Sequence, residues 1–227
     1  MCGRFVREGD SSKVKKFFRI SKGEENWTAL FNVAPTTATP VIVSSEVAGR
    51  FMDHAIWDFK PPFPKSSNAP LVNARGETVH VLPSFREAFK THRCLIPASG
   101  YYEWRRSDKQ PFYFQRRDSL PLAMAGIYES LGGKGMSACL ITTTPNSDIG
   151  SIHDRMPVIL NPDSWDLWLS SKQLSEDERA SLLVPSSRDT LVGWPVNRSV
   201  GNVRNDHPSL IESFKEAPKE STPDLFR

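Results

Sequence analysis

The sequence predicts a single α+β domain: a curved antiparallel, barrel-like β-core with flanking helices. Three observations lead there. Five short runs rich in β-branched and aromatic residues crowd the middle of the chain, "RCLIP", "YYEWRR", "PFYFQRR", "LAMAGIYES" and "SACLITTT". That close spacing is the mark of an antiparallel sheet closing toward a barrel. Helical patterns occur on either side of these runs rather than between them. No convincing linker divides the 227 residues, and a chain of that length buries a full core without disulfides.

Taken in order, the first element is a helix. Val14, Phe17 and Phe18 fall at helical spacing behind Asp10 or Ser11, either of which can cap it. "VIVSSEV" and "RFMDHAIWDF" read as two strands around a turn at Gly49, and "PPFPKSSNAP" as a loop. "SFREAF" carries a Ser-x-x-Glu capping box at Ser84 and Glu87 and should start a helix. The turns "SDKQ" and "LGGKG" separate strands of the central block. Two helices follow, "PDSWDLWL" with Pro162 in its first turn and "SEDERASLL" with a second capping box at Ser175 and Glu178. The domain is expected to span residues 2–212, and the polar tail 213–227 to be loose.

Composition narrows the function classes. Lys and Arg number 29 against 26 Asp and Glu, so bulk charge points only faintly to an anionic partner. Cys2, Cys94 and Cys139 are odd in number and widely spaced, which excludes a disulfide framework and suits a reducing compartment. No pair of His, Cys or carboxylates has metal-ligand spacing, so no metal is expected. Neither a signal peptide nor a membrane span is evident. The expectation is a cytoplasmic protein, or a nuclear one if the source is eukaryotic.

Four stretches could carry chemistry. In "MCGRF", loss of Met1 would leave Cys2 with an α-amine and a thiol on neighbouring carbons. An α-amine has a pKa of about 7.8 and is neutral in roughly one molecule in seven at pH 7. It can condense with an aldehyde, and the thiol can then close a five-membered ring. Cys2 can equally be a small buried hydrophobe in a first strand. "LVNARGET" offers Asn73 to hold an oxygen or amine and Arg75 to meet a phosphate, or it is simply a turn. In "SGYYEWRR", a strand puts Tyr101 and Glu103 on one face and Tyr102 and Trp104 on the other. Glu103 amid aromatics would titrate near neutrality and serve as general acid and base; otherwise it pairs with Arg105 or Arg106. "SIHDRMPVIL" groups His153, Asp154 and Arg155 before an apolar run, with His153 either a proton shuttle or a structural histidine. His54, His80, His92 and His207 lack such company.

Together, "MCGRF", "FNVAPTT", "VNARGET", "RCLIPASGYYEW", "MAGIYE", "SIHDRMPVIL" and "WPVNRSVGNVRND" resemble, in order, the SRAP family, the SOS-response-associated peptidases. The resemblance runs from Cys2 to about Glu212. It implies a curved barrel-like core and a protein that senses abasic sites in single-stranded DNA during the DNA damage response. It implies that Cys2 crosslinks to the ring-opened sugar as a thiazolidine, with AP-lyase activity as a side reaction. By the same resemblance Asn73 holds the linkage, Glu103 moves protons, and His153 assists sugar opening. Arg4 and Arg75 match phosphate-contacting positions, and Arg155 is placed beside them. The implied partner is abasic single-stranded DNA, bound by a monomer on the nucleoid, with no cofactor. One departure stands out: where the family often has Trp-Gly and a later tryptophan, this chain has "IWDFKPPFP", with Asp58 for glycine. Phe59 or Phe63 then becomes the candidate wedge against DNA. Two other functions remain open, a thiol (auto)peptidase using Cys2 and a non-covalent reader of modified DNA bases.

Overall fold

The fold is described from a computed structural model over residues 2–20, 22–23, 27–63 and 69–214. Its strands are β1 (Arg4–Arg7), β2 (Lys22–Gly23), β3 (Leu30–Val33), β4 (Ala38–Ser45), β5 (Gly49–Trp57), β6 (Asn73–Arg75) and β7 (Arg93–Ala98). They continue as β8 (Gly100–Trp104), β9 (Pro111–Arg116), β10 (Leu122–Ser130), β11 (Met136–Thr143), β12 (Met156–Pro157) and β13 (Leu191–Pro195). The α-helices are α1 (Ser11–Phe18), α2 (Arg86–Thr91), α3 (Trp165–Leu169) and α4 (Glu176–Leu182).

The strands form two sheets rather than one. The smaller runs β13-β9-β8-β1-β3; the larger runs β12-β11-β10-β7-β4-β5-β2. The larger sheet curls until the end of β5 pairs again with the start of β11, Ala55–Trp57 alongside Met136–Ala138. This pairing is parallel, as are β6 with β11 and β2 with β5, within an otherwise antiparallel pattern.

The middle strands read as almost unbroken apolar runs because both of their faces are covered. Along β7, β10 and β11, Cys94, Ile96, Leu122, Met124, Ala138 and Leu140 face the smaller sheet. Leu95, Ala123, Ala125, Ile127, Cys139 and Ile141 face outward onto the helices. There Phe18 stacks on Trp165 at 4.9 Å, and Phe89 meets Trp168. A third cluster lies on the far side of the smaller sheet, where Val196, Val200 and Leu210 cover Val6, Tyr102 and Tyr113.

Helix starts follow the caps, with two exceptions. Asp10 caps α1 by accepting from the Ser12 N–H, and the Ser175–Glu178 box closes on α4. The box expected at Ser84 and Glu87 does not form, because α2 begins one residue later than that cap requires, behind Phe85. The preceding turn already supplies acceptors: the Leu82 carbonyl takes the N–H groups of Phe85 and Arg86. Glu87 pairs with Lys90 and Arg86 instead. "PDSWDLWL" is not one α-helix. Pro162–Ser164 forms a 3₁₀ turn, closed by the Trp165 N–H on the Pro162 carbonyl, and α3 follows. Of the tail, Phe214 is tied to the Pro195 carbonyl, and residues 215–227 lie outside the described part, as do residues 64–68 of the loop.

Candidate functional site

The site forms where three distant segments meet at one end of the core between the sheets. The first is the amino terminus. β1 pairs with β8 in a register that sets Phe5 opposite Tyr101 and Arg4 opposite Tyr102. That register carries the chain before Arg4 toward Glu103. Cys2 is fully buried in the inter-sheet core with Phe5 and Tyr101. Burial, and next the charge of Glu103, push its thiol well above the usual range.

β6 is the second segment. It lies parallel to β11, with Asn73 opposite Leu140 and Arg75 opposite Thr142. The Asn73 amide donates to the Cys2 carbonyl at 2.8 Å. Its Oδ1 is buried and has no hydrogen-bond partner, which leaves an acceptor beside Cys2. Arg75 stands two residues along the same face and is exposed.

The third segment is the loop that ends β11 and returns as β12. Two contacts dock it on the end of β8: the Arg106 N–H donates to the Ile152 carbonyl, and the Arg106 guanidinium pairs with Asp154 at 2.6 Å. His153 thereby reaches Glu103, Nδ1 to Oε1 at 3.0 Å. The Glu103 carboxyl is only 2% exposed, and burial raises it from its ordinary 4.5 to about 7. Burial also lowers the His153 imidazole. Glu103 can therefore gain or lose a proton near neutral pH, beside an imidazole that is neutral there.

The structure brings Cys2, Asn73, Glu103 and His153 together and leaves Arg75 free at the rim. It places the remaining candidates elsewhere. Arg4 turns away from Cys2. Its guanidinium donates to Asn32 Oδ1 at 2.8 Å and to the carbonyls of Val200 and Gly201, so it fastens the 3₁₀ turn Arg198–Gly201 to the smaller sheet. Arg155 is engaged by Glu77 and by the Thr142 carbonyl. Phe59 is fully buried and packs on Phe85 at 5.5 Å, so it is core and not a wedge. Phe63 is exposed. Asp58, where the departure was noted, accepts from the Leu71 N–H at 3.0 Å and pairs with Lys60, closing the neck of the loop.

Two further polar groups, to which residue type and spacing assign no site role, belong to this cluster. Tyr101 has a buried hydroxyl with no partner, on the face that holds Cys2; its place one strand step from Glu103 was the available signal. Arg106 docks the His153 loop, and nothing in the sequence marks it from Arg105. Among the described residues, no group of three or more His, Cys, Asp and Glu is placed to hold a metal ion, and no helix is long and apolar enough to cross a membrane.

Known proteins match this chain over nearly its full length. The family model described as SOS response associated peptidase (SRAP) matches residues 1–203. The abasic site processing protein YoqW of Bacillus subtilis (strain 168) is 35% identical, covering 94% of this chain and all of the relative. The abasic site processing protein YedK of Escherichia coli (strain K12) is 32% identical, over 93% of this chain and 99% of the relative. A crystal structure of a Bacteroides thetaiotaomicron protein superposes with a TM-score of 0.79 at 25% identity, covering 95% of this chain and 100% of that one.

Proposed function

The chain belongs to the SOS response associated peptidase family, and from that premise we propose that it processes abasic sites in single-stranded DNA by covalent capture through Cys2. The observation that carries the proposal is the grouping at the second residue of the chain of Asn73, bonded to the Cys2 carbonyl, and Glu103, whose charge acts on the Cys2 thiol, with His153 beside Glu103. Relatives named for abasic site processing support the substrate class.

The chemistry begins once Met1 is removed, since its amide bond blocks the Cys2 amine. His153 assists opening of the abasic sugar, exposing the C1 aldehyde. The Cys2 amine adds to that carbon, a proton from Glu103 lets the carbinolamine oxygen leave as water, and the nitrogen's remaining proton returns to the Glu103 carboxylate, giving an imine. The thiol then adds to the imine carbon, forming the C–S bond, and its proton ends on the nitrogen through Glu103. One water is lost overall. A thiol that burial keeps protonated suits this order, because the amine attacks first and the thiol delivers its proton at closure. It is unlike the low-pKa, histidine-paired thiolate of a cysteine peptidase. Asn73 holds the Cys2 carbonyl, so the new amine keeps its place while the adduct forms. Beta-elimination from the imine would account for an accompanying lyase activity.

Arg75 is the phosphate contact of this reading, with Phe63 the remaining candidate for stacking beside the lesion. An abasic single-stranded oligonucleotide should give a heat-stable band with the protein on a denaturing gel, and the undamaged oligonucleotide should not. Arg75→Ala should lower the affinity and flatten the dependence of log affinity on log salt by about one unit, since one phosphate contact is lost. Absence of the band with an active protein preparation would refute the function. An unchanged salt slope would move the binding groove elsewhere.

A further inference from the structure

One two-pronged ion pair near the site touches none of the reacting groups with its charged ends, yet it joins the segments that hold them. Arg155 meets Glu77 with both ends of its fork, Nη1 to Oε1 at 2.6 Å and Nη2 to Oε2 at 2.9 Å. Nη2 also donates to the Thr142 carbonyl at 2.6 Å. The same carbonyl accepts the Gly76 N–H at 2.8 Å. The loop after Asn73 and the loop bearing His153 are thus fastened to one point at the end of β11. The Arg155 side chain is 12% exposed, and its hydrogen bonds hold the Glu77 carboxyl below the usual range, so Glu77 is a carboxylate at neutral pH.

The consequence reaches His153 through the backbone. The Arg155 N–H donates to His153 Nδ1 at 3.0 Å. The Arg155 carbonyl lies 3.3 Å from the same nitrogen, so the Arg155 backbone holds the ring at Nδ1 through both its N–H and its carbonyl. That same Nδ1 faces Glu103. We propose that Glu77 is a positioning residue: by gripping Arg155 it fixes the His153 loop, and so the ring orientation through which His153 works with Glu103. The proposal rests on the reading that Cys2, Glu103 and His153 form the reactive site. It replaces the expectation that Arg155 contacts DNA phosphate, because both ends of its fork are already engaged.

Glu77→Gln and Arg155→Lys test it. The variants should form the adduct roughly 10- to 100-fold more slowly, since misplacing a reacting group by about 1 Å can cost on the order of 10²-fold even when the change lies away from the chemistry. Affinity for undamaged single-stranded DNA should stay within about twofold of the parent, because no phosphate contact is lost. Lysine fails despite its charge, since an ammonium cannot fork between Glu77 and the Thr142 carbonyl.

The second readout is the His153 titration, followed by NMR in protein free of DNA. The groups facing the ring are Glu103 from β8, Asp154 from its own loop, Arg106 beside Asp154, and the amino-terminal charge. A loosened loop admits water, so His153 should titrate at higher pH in Glu77→Gln. Loss of a negative charge alone would move it lower. A tighter DNA complex with an unchanged rate would overturn the proposal and make Glu77 a mask on a phosphate-binding arginine. So would a His153 titration that falls or does not move. If the parent protein forms no adduct, the proposed function fails, but the titration still decides this inference. If Glu77→Gln does not fold, Arg155→Lys carries both readouts.

Discussion

Glu103→Gln should form the abasic-site adduct about 10²–10⁴-fold more slowly, the usual loss when a general acid–base group is removed. The same variant should be more stable than the parent above pH 7. Both effects come from one cause. Burial raises the Glu103 carboxyl from 4.5 to about 7. The folded protein therefore binds this proton more tightly than the unfolded chain does. Stability from Glu103 is fully present below pH 4.5 and is lost as the pH rises to 7. Above that, an ionised buried carboxylate costs on the order of 3 kcal/mol. Glutamine has the same shape and never ionises. For a domain of this size the relief corresponds to a melting temperature higher by roughly 5–10 °C at pH 8, with no difference at pH 4. His153 is shifted the opposite way, so parent and variant must be compared at the same pH. The adduct rate of the parent should carry a component that titrates near pH 7, and the variant should lose that component and keep only the rise set by the Cys2 amine. An unchanged rate with an unchanged melting profile would return Glu103 to a structural role.

Cys2→Ser and Cys2→Ala should lose the stable adduct entirely while keeping the first chemical step. Serine and alanine are small enough for Met1 still to be removed, so the α-amine remains. It should condense with the aldehyde to an imine that borohydride traps. The imine is reversible without a thiol to close the ring, because a hydroxyl is far less available as a nucleophile than a thiol at neutral pH. Denaturing gels should show a band from both variants only after borohydride, with some strand cleavage from the untrapped imine. A heat-stable band from Cys2→Ser without borohydride would show that the thiol is dispensable. No trapped band from either variant would show that the amine is not the attacking group.

The parts of the fold that could be read in advance are those where burial writes a pattern. β7, β10 and β11 are covered on both faces, so their apolar runs stand out, and β10 matches its expected bounds. The short or interrupted strands leave no such trace. β6 has three residues, and β13 contains Gly193, which packs flat where a Cβ would lie 2.3 Å from the Phe114 ring. The two-sheet arrangement depends on contacts across long separations. The Asn32 amide nitrogen, for example, lies within 3.2 Å of the carbonyls of Val200, Asn202 and Asn205.

The site was legible to a similar degree and for related reasons. Asn73, Glu103 and His153 were marked by residue type and local context, and the alternation along β8 correctly put Glu103 with Tyr101. Arginines were less readable. Arg4, Arg75 and Arg155 are alike as letters, and only the fold shows which guanidiniums are already claimed by carbonyls or a carboxylate. Phe59 and Phe63 present the same problem, since an aromatic four residues from another can be core or surface.

The covalent role of Cys2 is tested most directly by the intact mass of the protein after incubation with an abasic single-stranded oligonucleotide. The expected species is the chain beginning at Cys2, plus the oligonucleotide, less one water, and peptide mapping should place the linkage on Cys2. A protein that retains Met1 and still forms the adduct, or an adduct mapped to any other residue, would contradict the mechanism.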